Sequence, residues 1–499
     1  MFNGITQAVS FGLVLTKSCK KSLKLSYNVT TILTRTRSTA IDHNQSVSDF
    51  YAGKSVFITG GTGFLGKAYI ETLLRNCEDI DKIFILIREK KGESIENRVK
   101  HMVKNPIFGK VRNTKPQVFD KIVPIIGDIC LPKLGISSKD EQTLRDQVSV
   151  VFHSAATVKF NEPLEVAMNI NFEGTRRIVD LCKGMRKCEN FVYISTAFSQ
   201  TMYDTLEEKV YPAPAKVEEI YEFMKKYPND VKKTMKYIGK HPSTYTFTKC
   251  LAENYIATDP VVPTTIVRPS VVNSTYRDPV PGWLDNWYSV TGVSFDVARG
   301  LNHYFIGNKT NVFDAIPVDY VSNCTIVAGA RYTSENGIVP VYNSTSSGSN
   351  PILWMNFHEG FIRENMKFGY YERKPYFSIT ESKIKYKLLT LLRMKIPAHT
   401  ADLMLRIQGK NPRHVKLLKR VLATRSAYDN FQLNNWVFKN DRARELYASL
   451  SDADKAKFPC NPNDIDWDEY IKIFFKGVRQ YLLSSLIIKE NEIYPRRVK

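Results

Sequence analysis

Apolar runs of three to six residues recur along the first two thirds of the chain, separated by stretches whose apolar residues fall at helical spacing. The runs are Ser55 to Thr59, Lys82 to Ile87, Ile122 to Ile126, Val148 to His153, Phe191 to Ser195 and Thr265 to Val267. Continuous rather than alternating hydrophobicity marks strands buried on both faces. Strand and helix in alternation predict a parallel sheet with right-handed crossovers, so the expected fold is α/β, a Rossmann-type doubly wound sheet. From about Pro279 the alternation weakens. Beyond about Met355 the pattern is mainly helical, ending with Trp467 to Leu483. These changes divide the chain into an extension over 1–45, a sheet domain over 46–355 whose substrate-binding part starts near 279, and a helical C-terminal domain over 356–499. No apolar run reaches the ~18 residues of a spanning helix.

The first run leads into Gly60-Gly-Thr-Gly63-Phe-Leu-Gly66, and a helix is predicted over Lys67 to Arg75. In a strand-turn-helix setting, glycines three apart mark a dinucleotide site. Gly60 permits the tight turn, Gly63 lets the backbone approach a pyrophosphate at the helix N-terminus, and Gly66 lets helix and strand pack closely. Gly61 to Lys67 nearly spells a P-loop, but that motif requires Ser or Thr next, and Ala68 has no hydroxyl for magnesium. At the end of the second strand an acid would select NAD, whereas a base accommodates the NADP phosphate. Here stand Arg88, Lys90 and Lys91, with Arg98 on the next helix and Glu89 the one immediate acid, so NADPH is expected.

Tyr245 and Lys249 lie one helical turn apart, on one face. A free tyrosine titrates near pH 10, too high for proton transfer at neutrality. A neighbouring ammonium is expected to lower that value, so that the phenol can protonate a carbonyl oxygen as hydride reaches the carbon. Ser195 and Thr196 end the fifth predicted strand, on the sheet edge where such folds bind ligands. A hydroxyl there could hydrogen-bond the substrate carbonyl.

The chain resembles the alcohol-forming fatty acyl-CoA reductases, within the extended short-chain dehydrogenase/reductases, over roughly Phe50 to Leu483. The resemblance rests on Phe50-Tyr-Ala-Gly-Lys54 before the glycine turn, Gly127-Asp128, His153-Ser-Ala-Ala156-Thr-Val-Lys-Phe160 and Asn171-Phe-Glu-Gly-Thr175. It continues through Tyr193-Ile-Ser-Thr-Ala-Phe198, the Tyr245/Lys249 pair, Arg268-Pro-Ser270, Pro281-Gly-Trp283 and Ile316-Pro-Val-Asp-Tyr-Val321. Asn435-Trp436 and Asp466-Trp467 resemble the family's helical C-terminal domain. The resemblance implies reduction of a long-chain acyl-CoA by two NADPH, through a held aldehyde, to a primary alcohol, CoA and two NADP+. It also implies roles: Tyr245 as proton donor, Lys249 tuning it and contacting the nicotinamide ribose, and Thr196 (or Ser195) holding the oxyanion. Gly60, Thr62, Gly63, Phe64, Leu65 and Gly66 would meet the cofactor, Arg88 its phosphate, Asp128 with Ile129 its adenine, while Ala155 lines the cleft. Asn171 is a weaker candidate, with helix packing as its alternative role, and His153 reads as a packed core histidine rather than a base. The family usually carries Gly-Pro-Thr-Gly where this chain has Ser289-Val-Thr-Gly292. It often carries an apolar, membrane-embedded C-terminal stretch, whereas Leu388 to Leu405 is interrupted by Arg393, Lys395, His399 and Asp402. Motifs alone leave open a two-electron thioester reductase that releases aldehyde, or a non-catalytic lipid-binding protein on the same fold.

Composition narrows the partners. The chain of 499 residues is 43% hydrophobic and 24% charged, ordinary globular values that exclude a disordered chain. Its eight cysteines are scattered without CxxC or zinc spacing, which predicts free thiols in a reducing compartment and no metal. The net charge of +21 divides into +5 over 1–45, +3 over 46–360 and +13 over 361–499. Segment 383–425 alone has 12 basic residues against Asp402, interleaved with Leu388, Leu389, Leu391, Leu392, Leu403 and Leu405. A basic stretch with apolar faces fits an anionic membrane surface. No nucleic-acid recognition motif accompanies the charge. Residues 1–41 carry no acid and fit a mitochondrial transit peptide or a disordered extension. By resemblance the protein would instead act at a cytosol-facing membrane of the peroxisome or endoplasmic reticulum.

Overall fold

The computed structural model describes residues 45–483, apart from 91, 259–261, 289 and 334–336. The extension with its targeting expectation, Lys91, Ser289 and residues 484–499 lie outside the described residues. Seven parallel strands form the main sheet: β1 (Ser55–Thr59), β2 (Ile83–Ile87), β3 (Ile122–Ile126), β4 (Val148–His153), β5 (Asn190–Ile194), β6 (Thr264–Pro269) and β7 (Val341–Ser344). Their order is β3-β2-β1-β4-β5-β6-β7, with the reversal of direction between β1 and β4. The six strands read from apolar runs all occur, with ends shifted by one or two residues in three of them. The seventh was missed because Val341-Tyr-Asn-Ser344 is half polar. Its Asn343 is buried, with the backbone N–H donating to the Glu208 carboxylate at 2.8 Å and the side chain donating to the Lys439 carbonyl at 2.7 Å.

The named helices are α1 (Phe64–Asn76), α2 (Gly174–Lys183), α3 (Thr244–Thr258), α4 (Val290–Ala298), α5 (Val318–Ala330), α6 (Trp354–Phe368), α7 (Lys383–Thr390), α8 (Ile396–Ile407), α9 (His414–Leu433) and α10 (Trp467–Gly477). Side-chain alternation along β1 assigns the two faces. Val56 and Ile58 share a core with Tyr69 and Leu73 of α1 and with Cys324 and Val327 of α5. Phe57 points the other way, into a core with Ile178 of α2 and Leu251 of α3. Both sheet faces are thus covered, which is why the central strands read as unbroken apolar runs.

A third core joins residues 276–321 to α6, α10 and the stretch around Phe431 and Phe438. Phe361 and Phe474 meet edge to face with ring centroids 5.0 Å apart. The C-terminal region also supplies strands to earlier ones. Val437–Phe438 pairs in parallel with Thr205–Leu206, and Ser378–Thr380 with Tyr304–Ile306. These short strands sit within the region read as mainly helical. No helix among the described residues is long and apolar enough to cross a membrane.

Candidate active site

The glycine turn lies where the strand order reverses, at the carboxyl ends of β1 and β4. Gly60 has φ +74°, and a Cβ there would lie 2.9 Å from the Ala155 nitrogen, so turn and cleft wall are in contact. A Cβ on Gly66 would come within 2.2 Å of the Gly60 carbonyl oxygen, which leaves no room for a side chain between α1 and the turn. Gly63 is exposed and precedes α1, whose first turn carries no side-chain cap. An uncapped N-terminus behind a side-chain-free loop is a ready anion cradle, so the residues present fit a dinucleotide pyrophosphate. Thr62, Phe64 and Leu65 are half-buried around it. The Arg88 guanidinium is 70% exposed and lies 3.9 Å from the Asp128 carboxylate. The structure therefore brings the phosphate and adenine candidates together. Ile129 is a different case: its side chain is buried in the core under Gly174, so its backbone is what the cleft can use.

At the end of β5, the Thr196 hydroxyl accepts the Phe198 N–H at 3.3 Å and caps a short turn over Ala197–Gln200. It is also near enough to the Tyr245 phenol to act on its titration. The Ser195 hydroxyl is buried with no partner among the described residues, and Thr196 rather than Ser195 acts on the phenol. Lys249 is buried, donates to the Ile194 carbonyl at 2.6 Å and lies 4.5 Å from the Tyr193 ring centre. Burial pushes the Tyr245 phenol up to about 12, opposed by the Thr196 hydroxyl and reinforced by the Glu253 charge. An ammonium one helical turn away is expected to lower that value. In this geometry desolvation outweighs it, because burial also drives Lys249 down to about 7, against the charge of Glu253.

Asn171 and His153 behave as positioning and packing groups respectively. Asn171 sits in a π-helical turn, Met168–Glu173, and its side chain accepts the Thr157 N–H at 2.9 Å and donates to the Thr248 hydroxyl at 3.0 Å. It thereby ties the Ala155–Phe160 loop to the helix carrying Tyr245. The Thr175 hydroxyl donates to the Asn171 carbonyl, so it accepts from Nε2–H of His153, and Nδ1 accepts from Thr59. Burial holds that imidazole neutral down to about pH 3.

Four contributors had no role assigned from the sequence. Phe160 lies 6.4 Å from Tyr245 between ring centroids, and Phe431 of α9 stacks on Phe160 at 5.4 Å. Phe198 meets Phe431 at 4.9 Å, so an aromatic wall from both halves of the chain flanks the phenol. Glu253, one turn beyond Lys249, is fully buried against Arg268. Its spacing on the Tyr-Lys face was the available signal; nothing local marks Phe431. Among the described residues, no three His, Cys, Asp or Glu side chains gather as a metal site.

A reversal-point glycine cradle beside a Thr-Tyr-Lys constellation defines an NAD(P)-binding reductase of the extended short-chain dehydrogenase/reductase class. Two sequence profiles described as Male sterility protein match, an NAD-binding one over 58–325 and a second over 393–485. Fatty acyl-CoA reductase 1 of Xenopus laevis is 35% identical over 451 residues, covering 88% of this chain and 87% of that protein. The human protein of the same name is 31% identical with the same coverage. The chain belongs to the fatty acyl-CoA reductase family, and with it to the NAD(P)-dependent oxidoreductases. Among solved structures, the terminal R domain of the myxalamid biosynthetic pathway shares the fold, with a TM-score of 0.61 at 19% identity, covering 87% of this chain and 92% of that one.

Proposed function

We propose that the protein reduces a long-chain acyl-CoA with two NADPH to a primary fatty alcohol, CoA and two NADP+, holding the aldehyde between the two reductions. The observation that carries this reading is the gathering of Thr196, Tyr245 and Lys249 at the end of β5, where Lys249 donates to the Ile194 carbonyl at 2.6 Å and the Thr196 hydroxyl acts on the Tyr245 phenol. Bound there, the dinucleotide supplies hydride to the carbonyl carbon. Thr196 and Tyr245 hold the carbonyl oxygen, and the Tyr245 hydroxyl gives it a proton. The Lys249 ammonium offsets the negative charge left on the phenolate. Phe160, Phe198 and Phe431 form an apolar flank that excludes water from the reacting carbon. Arg88 is exposed and not locked by its acid, which supports a 2′-phosphate, and hence NADPH, as its partner.

The second element of the proposal is a membrane surface. Ile384, Leu388, Leu391, Leu392, Ile396, Leu403, Met404 and Ile407 are exposed on α7, α8 and the turn between them, Ile384 to 81% and Ile407 to 78%. Lys383, Lys385, Lys387, Arg393, Lys395 and Arg406 stand exposed among them. Asp402, the acid of this segment, is turned inward and accepts the N–H groups of Arg413, His414 and Val415 at the start of α9. Apolar knobs ringed by bases fit an anionic bilayer that receives the insoluble product.

Purified protein given palmitoyl-CoA is expected to form hexadecanol and consume two NADPH per alcohol, with NADH much less effective. Tyr245→Phe should lower turnover at least ~100-fold while leaving NADPH binding intact. Hexadecanal as the released product, or an active Tyr245→Phe, would refute the assignment.

A further inference from the structure

Glu253 follows Lys249 by one turn of α3, so the two side chains share a face of that helix. Its carboxylate is fully buried and takes two hydrogen bonds from Arg268 of β6, Nε and Nη2 each at 2.8 Å. Arg268 is as deeply buried, and its remaining donors reach the carbonyls of Glu207 at 3.2 Å and Lys209 at 2.8 Å. The same carboxylate accepts from the Ser199 hydroxyl at 3.2 Å and from the Gln200 amide at 3.5 Å. Ser199 and Gln200 belong to the turn that Thr196 caps. One ion pair thus reaches the helix of Tyr245 and Lys249, the turn of Thr196 and the outer part of the sheet.

A buried ion pair is a poor stabiliser in itself, since desolvation of both charges offsets their attraction. Its position is what needs explaining. The groups facing Lys249 are the Tyr193 ring and the Ile194 carbonyl from β5, His153 from β4, and Tyr245 and Glu253 from its own helix, with Cys250 and Arg268 beside Glu253. His153 is neutral, and burial keeps the Cys250 thiol and the Tyr245 phenol protonated. Glu253 is then the one anion in the set. Four hydrogen-bond donors, two of them from Arg268, fix its place.

We propose that Glu253, held by Arg268, is a positioning residue that keeps Lys249 charged and keeps the Thr196 turn in register with it. The proposal rests on the assignment of Tyr245, Lys249 and Thr196 made above. It acts through Lys249 rather than on substrate, so it predicts a change in pH dependence and in kcat, with KM for NADPH preserved.

The test compares kcat/KM between pH 5.5 and 9.5 for wild type, Glu253→Gln, Glu253→Asp and the double variant Glu253→Gln/Arg268→Gln, using palmitoyl-CoA and NADPH. In Glu253→Gln the alkaline limb should move at least one pH unit toward acid, with activity at pH 7.5 down about tenfold or more. Glu253→Asp keeps the charge and should leave the limb near the wild-type position. The double variant leaves no buried charge unpaired; it should fold with the limb still displaced. An unmoved limb in the double variant would overturn the proposal. Failure of the double variant to fold would also overturn it, because the carboxylate would then be holding the fold rather than the lysine. Inactive wild type, by contrast, would fault the underlying assignment.

Discussion

Burial sets the working state of the two titratable groups that meet at the end of β5. Tyr245 is held protonated far above neutrality, while Lys249 is brought to about 7, inside the physiological range. The sign of the resulting pH dependence follows. Below about pH 7 the lysine is charged and can offset a phenolate; above it the charge is lost. Activity, measured as kcat/KM at low acyl-CoA, should therefore fall as pH rises through about 7, with a slope near one. A phenol titrating near 12 would add no limb in the accessible range. A profile flat to pH 9 would show that the lysine charge is not required. The residue types and the Tyr-Lys spacing were legible in the sequence, but not the direction of these shifts. They depend on how much surface covers each group, and that surface comes from β5, β6 and α9, distant in sequence.

Elements position these groups, and their legibility followed the range of their packing. Strands of five or six residues, most of them buried on both faces, announce themselves as apolar runs, so β1 to β6 could be read directly. β7 could not, because the partners of Asn343 in it, Glu208 and Lys439, are brought near only by the folded chain. The glycine turn was legible for the opposite reason: its constraint is local. It makes a sharp prediction about α1. Gly66→Ala would place a methyl 2.2 Å from the Gly60 oxygen and 2.5 Å from the Gly61 Cα, so helix and turn must part. Overpacking of this kind costs about 1–3 kcal/mol. NADPH affinity should fall at least ~10-fold and the melting temperature by several degrees. Gly109→Ala is the control, since its Cβ would meet nothing closer than the end of Arg112 at 3.8 Å, and it should change neither. Equal NADPH titrations for the two variants would contradict the close-packing role.

For the whole molecule, the net charge resolves into a nearly neutral reductase core and a basic, apolar C-terminal surface. The sequence placed that charge on 383–425, and the structure adds that its acid is spent inside, on the start of α9. Changing Lys383, Lys385, Lys387, Arg393 and Lys395 to Gln should reduce flotation with vesicles containing phosphatidylserine at least tenfold, at about 1 kcal/mol per base. Activity on a short, soluble acyl-CoA should be unaffected. Undiminished flotation would remove the bilayer from the proposal. The parallel pairing of Thr205–Leu206 with Val437–Phe438 has a consequence of another kind. The second partner is synthesised 232 residues after the first. At ordinary elongation rates that interval is roughly 10 to 50 s. Throughout it the nascent chain carries an unpaired strand edge and the uncovered face of Phe198. Yield in a host cell should then depend on how well that interval is chaperoned, and slower, cooler expression or added holdase capacity should matter more for this protein than for a reductase whose last strand closes early.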